Sequence, residues 1–272
     1  MKQARWNSII ANITFSLILL AASAVFAHEP LFGLGPHTVG QYVWEVESTM
    51  ERGQEGWANE FDLIYGLSPN IALTTTLPYQ FSRENESAGL GAVTLRGKYR
   101  FYRRDFRNGS DAFAFHAGIK LPGGKRAFAN YGNSTDYFFA LSFGRESRTR
   151  YAFADVRYLV RGSTRDLNRG NVWNFDAAYG IRPWRMEYLQ PDLVLLLEAL
   201  GEVSNRNTFG GRQDANSGGS GFSLAPGFFL SYRNVMLKGG VKFRVFQNLN
   251  GSQKKDRTEF LLAVDIHMPP FK

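Results

Sequence analysis

The sequence predicts an all-β protein, a transmembrane antiparallel up-and-down β-barrel of about twelve strands with short periplasmic turns and longer external loops. Three observations predict it. About a dozen stretches of roughly ten residues alternate apolar and polar side chains, the two-residue period of a strand. An export signal precedes them. No later segment offers the run of about twenty apolar residues that a transmembrane helix needs, so a closed barrel is the backbone structure left that satisfies its hydrogen bonds in lipid.

At the amino-terminus, Lys2 and Arg5 precede an apolar run from Ile9 to Phe26 broken by Asn12, Thr14 and Ser16. Val25-Phe26-Ala27 then supplies the small-residue cleavage site before His28-Glu29-Pro30. Residues 1–27 read as a signal peptide cut near Ala27, 28–41 as a periplasmic leader or plug, and 42–272 as the outer-membrane barrel. The leader is rich in Gly and Pro and does not alternate. It either enters the lumen or extends into the periplasm, the second being the plainer placement. Cleavage leaves 30 Lys and Arg against 24 acids, a net +6. These charges are spread through the alternating stretches instead of clustering on one element, which argues against nucleic acid and for lipid headgroups and lipopolysaccharide as counterions. The chain has no cysteine, which suits passage through an oxidising periplasm.

Twelve strands are expected at 43–50, 58–65, 71–81, 90–101, 112–121, 136–143, 151–161, 172–182, 192–202, 221–231, 235–245 and 258–268. Roughly ten to fourteen would fit the same length. Stretch 90–101 is the clearest: Val93, Leu95, Tyr99 and Phe101 share one face, and Thr94, Arg96, Lys98 and Arg100 the other. Links at 66–70, 144–150 and 233–234 are short, whereas 122–135 and 204–220 are long and polar. The short ones belong at the periplasmic end, with both termini. Links 102–110 and 183–191 are long for that end. Trp44, Trp57, Tyr65, Tyr79, Tyr99, Phe101, Phe143, Trp173 and Tyr179 lie near strand ends, as in interfacial girdles, which puts the oily face toward lipid. A soluble barrel would reverse the faces and needs only about eight strands.

With the oily face outward, the lumen receives Glu45, Glu47, Glu60 and Asp62, then Arg96, Lys98 and Arg100, then Glu198 and Glu202, then Lys238, Lys242 and Arg244. Acidic and basic strands are grouped, so a water-filled lumen would carry a transverse field able to select solutes. The same charges could instead pair and fill a narrow interior. Glu198 and Glu202 lie about 13 Å apart on one strand, too far for glycosidase chemistry. His116 and His267 face the lumen; Asp265 accompanies His267, but no nucleophile stands at a fixed offset for a hydrolase. His28 would become the mature amino-terminal residue, with His37 close behind, yet the spacing fixes no metal site. Gly123-Gly124-Lys125 lacks the spacing of a phosphate loop. No catalytic residue, metal or cofactor is expected.

Phe32-Gly33-Leu34-Gly35-Pro36-His37, Tyr65-Gly66-Leu67-Ser68-Pro69-Asn70, Lys120-Leu121-Pro122, Gly132-Asn133-Ser134-Thr135-Asp136-Tyr137, Ala225-Pro226-Gly227 and Gln247-Asn248-Leu249-Asn250-Gly251 occur in that order along the chain. In them the sequence resembles the outer-membrane transporters named for association with the meta pathway of phenol degradation. The resemblance implies one barrel, set in place by the barrel-insertion machinery, that passes small aromatic or hydrophobic solutes. Two departures stand out. The chain ends Met268-Pro269-Pro270-Phe271-Lys272, where members end on an aromatic residue, and Leu193 to Leu197 lose alternation where the lumen face should be polar. A passive channel or uptake barrel is the leading expectation, a filled structural barrel the alternative, and a membrane hydrolase the third.

Overall fold

A computed structural model describes residues 29–53, 56–81, 88–123, 134–164, 166–184, 190–256 and 258–268. The expected signal peptide at residues 1–27, His28, Gly124, Lys125, Gly132, Asn133 and the end from Pro269 to Lys272 lie outside them. The described chain is all strand and loop. In order it forms β1 (Trp44–Gly53), β2 (Gly56–Ser68), β3 (Ile71–Gln80), the short β4 (Gly89–Leu90), β5 (Thr94–Phe106), β6 (Gly109–Lys120), β7 (Asp136–Ser147) and β8 (Arg150–Val160). Then come the short β9 (Ser163–Thr164) and β10 (Leu167–Asn168), β11 (Val172–Ile181), β12 (Asp192–Ser204), the short β13 (Thr208–Phe209) and β14 (Arg212–Gln213), β15 (Gly219–Tyr232), β16 (Val235–Leu249) and β17 (Glu259–Met268).

The twelve long strands pair antiparallel with their neighbours in chain order, and β1 closes on β17 from Trp44↔Met268 to Arg52↔Phe260. Closure leaves no wall edge unpaired. Burial is inverted relative to a soluble protein. Phe61, Leu73, Tyr99, Phe115, Leu141, Phe175, Leu195 and Leu262 are exposed, whereas Glu45, Asp155, Asp176, Glu198, Lys238 and Asp265 are buried. Alternation puts the first set on one face and the second on the other, so the apolar face meets lipid and the charged face the lumen.

All twelve expected strands are present, with shifted ends. The largest shift is at 102–110, where a β-bulge between Arg100 and Tyr102 lets β5 and β6 pair as far as Phe106↔Gly109. The expected long link is therefore the turn Arg107-Asn108. The bulge also reverses the alternation beyond it, so that Tyr102 and Arg104 face outward beside Phe113 and Asp111. Arg233 takes a positive φ of 55° in the tight β15–β16 turn, as two-residue hairpins require. These short turns mark the periplasmic end. At the other end β9, β10, β13 and β14 form a small sheet joining two external loops.

Candidate functional site

The leader runs inside the wall. Leu34 to Val39 are all buried, although nothing in their own sequence makes a core. At the periplasmic rim the Tyr42 N–H donates to Gly66 O at 2.7 Å and the Thr38 hydroxyl to Pro69 O at 2.7 Å. A side chain on Gly66 would meet Gly40 O at 2.0 Å, so the leader passes this rim only over a glycine. From there it crosses to β12, where the Glu198 carboxylate accepts the backbone N–H groups of Leu31, Phe32 and Gly33 at 2.5, 3.0 and 3.2 Å. The Leu34 N–H donates to Asp155 on β8 at 2.7 Å. Lys98 on β5 holds the other side, donating to the Glu29 carboxylate and, at 2.7 Å, to His37 O. Strands β5 and β12 stand five places apart in the ring of twelve, so the leader is a crossbar between nearly opposite walls. Burial pushes the Glu29 carboxyl above its ordinary value, and Lys98 pulls it back.

Leu31 has a seat cut for it. Gly227 and Gly240 are register partners on β15 and β16, and a Cβ on either would lie 2.2 or 2.6 Å from Leu31 Cδ1. The seat borders an apolar cluster of Tyr151, Phe153, Ala178, Val194, Leu196, Phe229 and Met236. Val194 and Leu196 point inward, so the loss of alternation at Leu193 to Leu197 marks an oily patch of lumen lining.

The expected lumen charges are mostly paired. Arg96 contacts Asp62 at 3.2 Å; Lys238 contacts Glu47 at 3.0 Å and Asp265 at 2.9 Å; Glu45 contacts His267 at 2.7 Å. Lys242 pairs with Glu259 and lies over the Phe32 ring, its Nζ 5.4 Å from the ring centre. Arg244 pairs with Asp256 at 2.6 Å. Arg100 donates to Pro69 O at 2.6 Å and Asn70 Oδ1 at 3.1 Å, bracing the turn that the leader crosses. Glu202 accepts from Ser204 at 3.1 Å near the external mouth, and Glu60 is exposed. The grouped charges thus form local pairs instead of facing each other across open water. Between them remains a cavity of about 70 Å³ bounded by Glu29, Leu34, Asp62, Arg96, Lys98 and Lys238. That holds a few waters and no larger solute. Outside it lies a polar vestibule of about 330 Å³, lined by Arg161, Glu202, Asn207, Asp214, Arg244 and Gln253 among others.

Three features escaped the sequence reading. Arg157 joins Asp155 at 3.0 Å, Asp176 and, at 3.3 Å, Phe32 O, which braces the acids that hold the leader. Glu45, Glu47 and Asp265 place carboxylate oxygens within 4.8 Å of one another, and Lys238 supplies the cation at two of them. His116 and Ser142 hydrogen-bond at 2.8 Å. Both are buried, at 1% and 2% exposure, and His116 borders the small cavity beside Lys98. The sequence signal for the leader's docking was the pair of lumen-facing glycines together with Glu198, whose register partners Ala178 and Ala225 offer it no base.

The family model described as "Putative MetA-pathway of phenol degradation" matches residues 27–252. The chain belongs to this family. Among solved structures, this member of the phenol-degradation family is similar to the COG4313 outer membrane channel from Pseudomonas putida F1, at 12% identity and a TM-score of 0.64, over 89% of this chain and 100% of that one. It is also similar to the NanC porin, at 10% identity and a TM-score of 0.49, over 83% of this chain and 99% of that one. The KdgM porin in complex with oligogalacturonate gives 11% identity and a TM-score of 0.44, over 82% of this chain and 98% of that one. At these identities the likeness is one of fold. A search of curated proteins finds no match for the family member.

Proposed function

We propose that the chain, freed of residues 1–27 and inserted by the barrel-insertion machinery, is an outer-membrane channel or uptake barrel for small solutes, closed in this conformation by its own leader. The observation that carries this reading is the crossbar. Its main anchors are backbone N–H groups on Glu198 and Asp155 and one lysine on Glu29, and each can be released without breaking a wall strand. Release would uncover the glycine seat beside Val194, Leu196 and Phe229, an apolar surface suited to an aromatic or hydrophobic solute. The polar vestibule outside it, and within it Lys98 beside the Arg96–Asp62 and Lys238–Glu47 pairs, would set the charge preference.

Deletion of residues 29–41 tests this reading. In planar bilayers the shortened barrel is expected to conduct ions well above the level of the full mature chain. Absence of conductance in both would favour the filled structural barrel. A specific observation speaks for that second reading: Phe229, Met236 and Val194 are wall residues with at most 1% exposure, and they stay when the leader goes.

A further inference from the structure

The outer face carries a charged cleft at its periplasmic rim that no part of the channel reading uses. The row Arg104, Asp111, Arg145, Ala152, Tyr179 follows the register across β5, β6, β7, β8 and β11. One step toward the membrane centre the row is Tyr102, Phe113, Phe143, Ala154, Ala177. Phe113 and Tyr179 are exposed among the aromatics that meet lipid, so the charged row lies on the lipid-facing side of the wall. Asp111 sits between the arginines. It accepts Nε and Nη2 of Arg145 at 2.6 and 2.9 Å and Nη2 of Arg104 at 2.7 Å.

That carboxylate orients both guanidinium groups but balances only one. The Nη1 groups of both arginines and Nε of Arg104 are not engaged by it, and their side chains are 60% and 54% exposed. Arg150 lines the same cleft, so among the described residues three arginines meet the one carboxylate of Asp111 and two positive charges remain. The cleft holds about 420 Å³. Its floor is Ala152, and Phe106 and Tyr179 stand at its sides, with Arg145 over the Phe106 ring at 5.8 Å. Small residues between rings make a slot of acyl-chain shape, with the cationic end where headgroups lie.

The geometry points to a binding site for one anionic phospholipid of the periplasmic leaflet, its phosphate on Arg104, Arg145 and Arg150 and an acyl chain along the Ala152 slot. The lipid is identified by position: lipopolysaccharide phosphates belong to the opposite leaflet and cannot reach this rim. Oriented guanidinium forks suit phosphate oxygens better than a zwitterionic headgroup of no net charge. The inference needs only the barrel and its orientation, and stands whether or not the lumen conducts.

The test is native mass spectrometry of the purified full chain with dioleoyl phosphatidylglycerol, dioleoyl phosphatidylcholine or lipid A in equal amounts. Phosphatidylglycerol is expected to be retained over phosphatidylcholine, by about fivefold for each arginine engaged. The double variant Arg145→Gln/Arg150→Gln is expected to bring the two lipids level, with heat-modifiable gel mobility reporting that the barrel is folded. Should that variant not fold, the wild-type preference is expected to fall as salt rises. Equal retention of the two phospholipids by the wild type would overturn the inference. So would a preference that neither the variant nor salt reduces, or lipid A retained equally well through the same arginines.

Discussion

The Glu198 carboxylate on β12 accepts the Leu31 N–H at 2.5 Å, across 167 residues of sequence. Three consecutive leader N–H groups converge on this one acid, so it is the largest single anchor of the crossbar. Replacing it removes the acceptor for all three.

Glu198→Ala is therefore expected to weaken leader docking by about 2–3 kcal/mol, since buried donors lose their partner. That is roughly a 30- to 150-fold shift toward the released form. Limited proteolysis of residues 29–41 should speed up accordingly. Glu198→Gln, which keeps an oxygen acceptor, should fall between the variant and wild type.

Gly240→Leu fills the seat of Leu31 from the opposite side. The added side chain starts 2.6 Å from Leu31 Cδ1, and the leader can yield more easily than the wall. Faster cleavage of the leader and raised bilayer conductance are expected, with gel mobility of the folded barrel unchanged. A leader as protected as in the wild type would mean that the seat is not what holds it.

Lys98→Met strips Glu29 and His37 O of their cation. Because the Lys98 and Glu29 side chains keep 17% and 31% exposure, the cost is about 1–2 kcal/mol, less than for a fully buried pair. Adding Glu29→Gln should recover part of it, with a coupling of about 1 kcal/mol between the two positions in a double-mutant cycle read by leader proteolysis.

At the external end, Arg169 donates to Asp136, to Ser134 at 2.6 Å and to Gly162 O at 3.3 Å. Arg169→Gln should destabilise the external loops by about 1–3 kcal/mol. Protease cutting within 161–171 should increase while leader protection stays as it was, because the described anchors of the leader lie on Glu198, Asp155, Arg157 and Lys98.

The wall was readable because a strand between lipid and lumen must alternate, and Leu95, Tyr99 and Phe101 against Arg96, Lys98 and Arg100 do so without exception. The reading failed at the Arg100/Tyr102 bulge, since one inserted residue reverses every face beyond it and leaves no mark in composition. That is why Arg104 is legible as an outward residue only in the structure. The placement of Glu198 in the lumen followed from parity. Its partners did not, because they are backbone N–H groups, which every residue but proline carries.

The central claim is that the docked leader closes the lumen. A built Cβ on Gly33 lies 3.6 Å from Asp176 Cβ, within disulfide range, and the chain has no cysteine to compete. The variant Gly33→Cys/Asp176→Cys can therefore be locked and unlocked while everything else in the protein stays the same. Its conductance in planar bilayers, recorded before and after addition of reductant, is the direct measurement. The account predicts a silent barrel when oxidised and channel openings once reduced; equal conductance in the two states would contradict it.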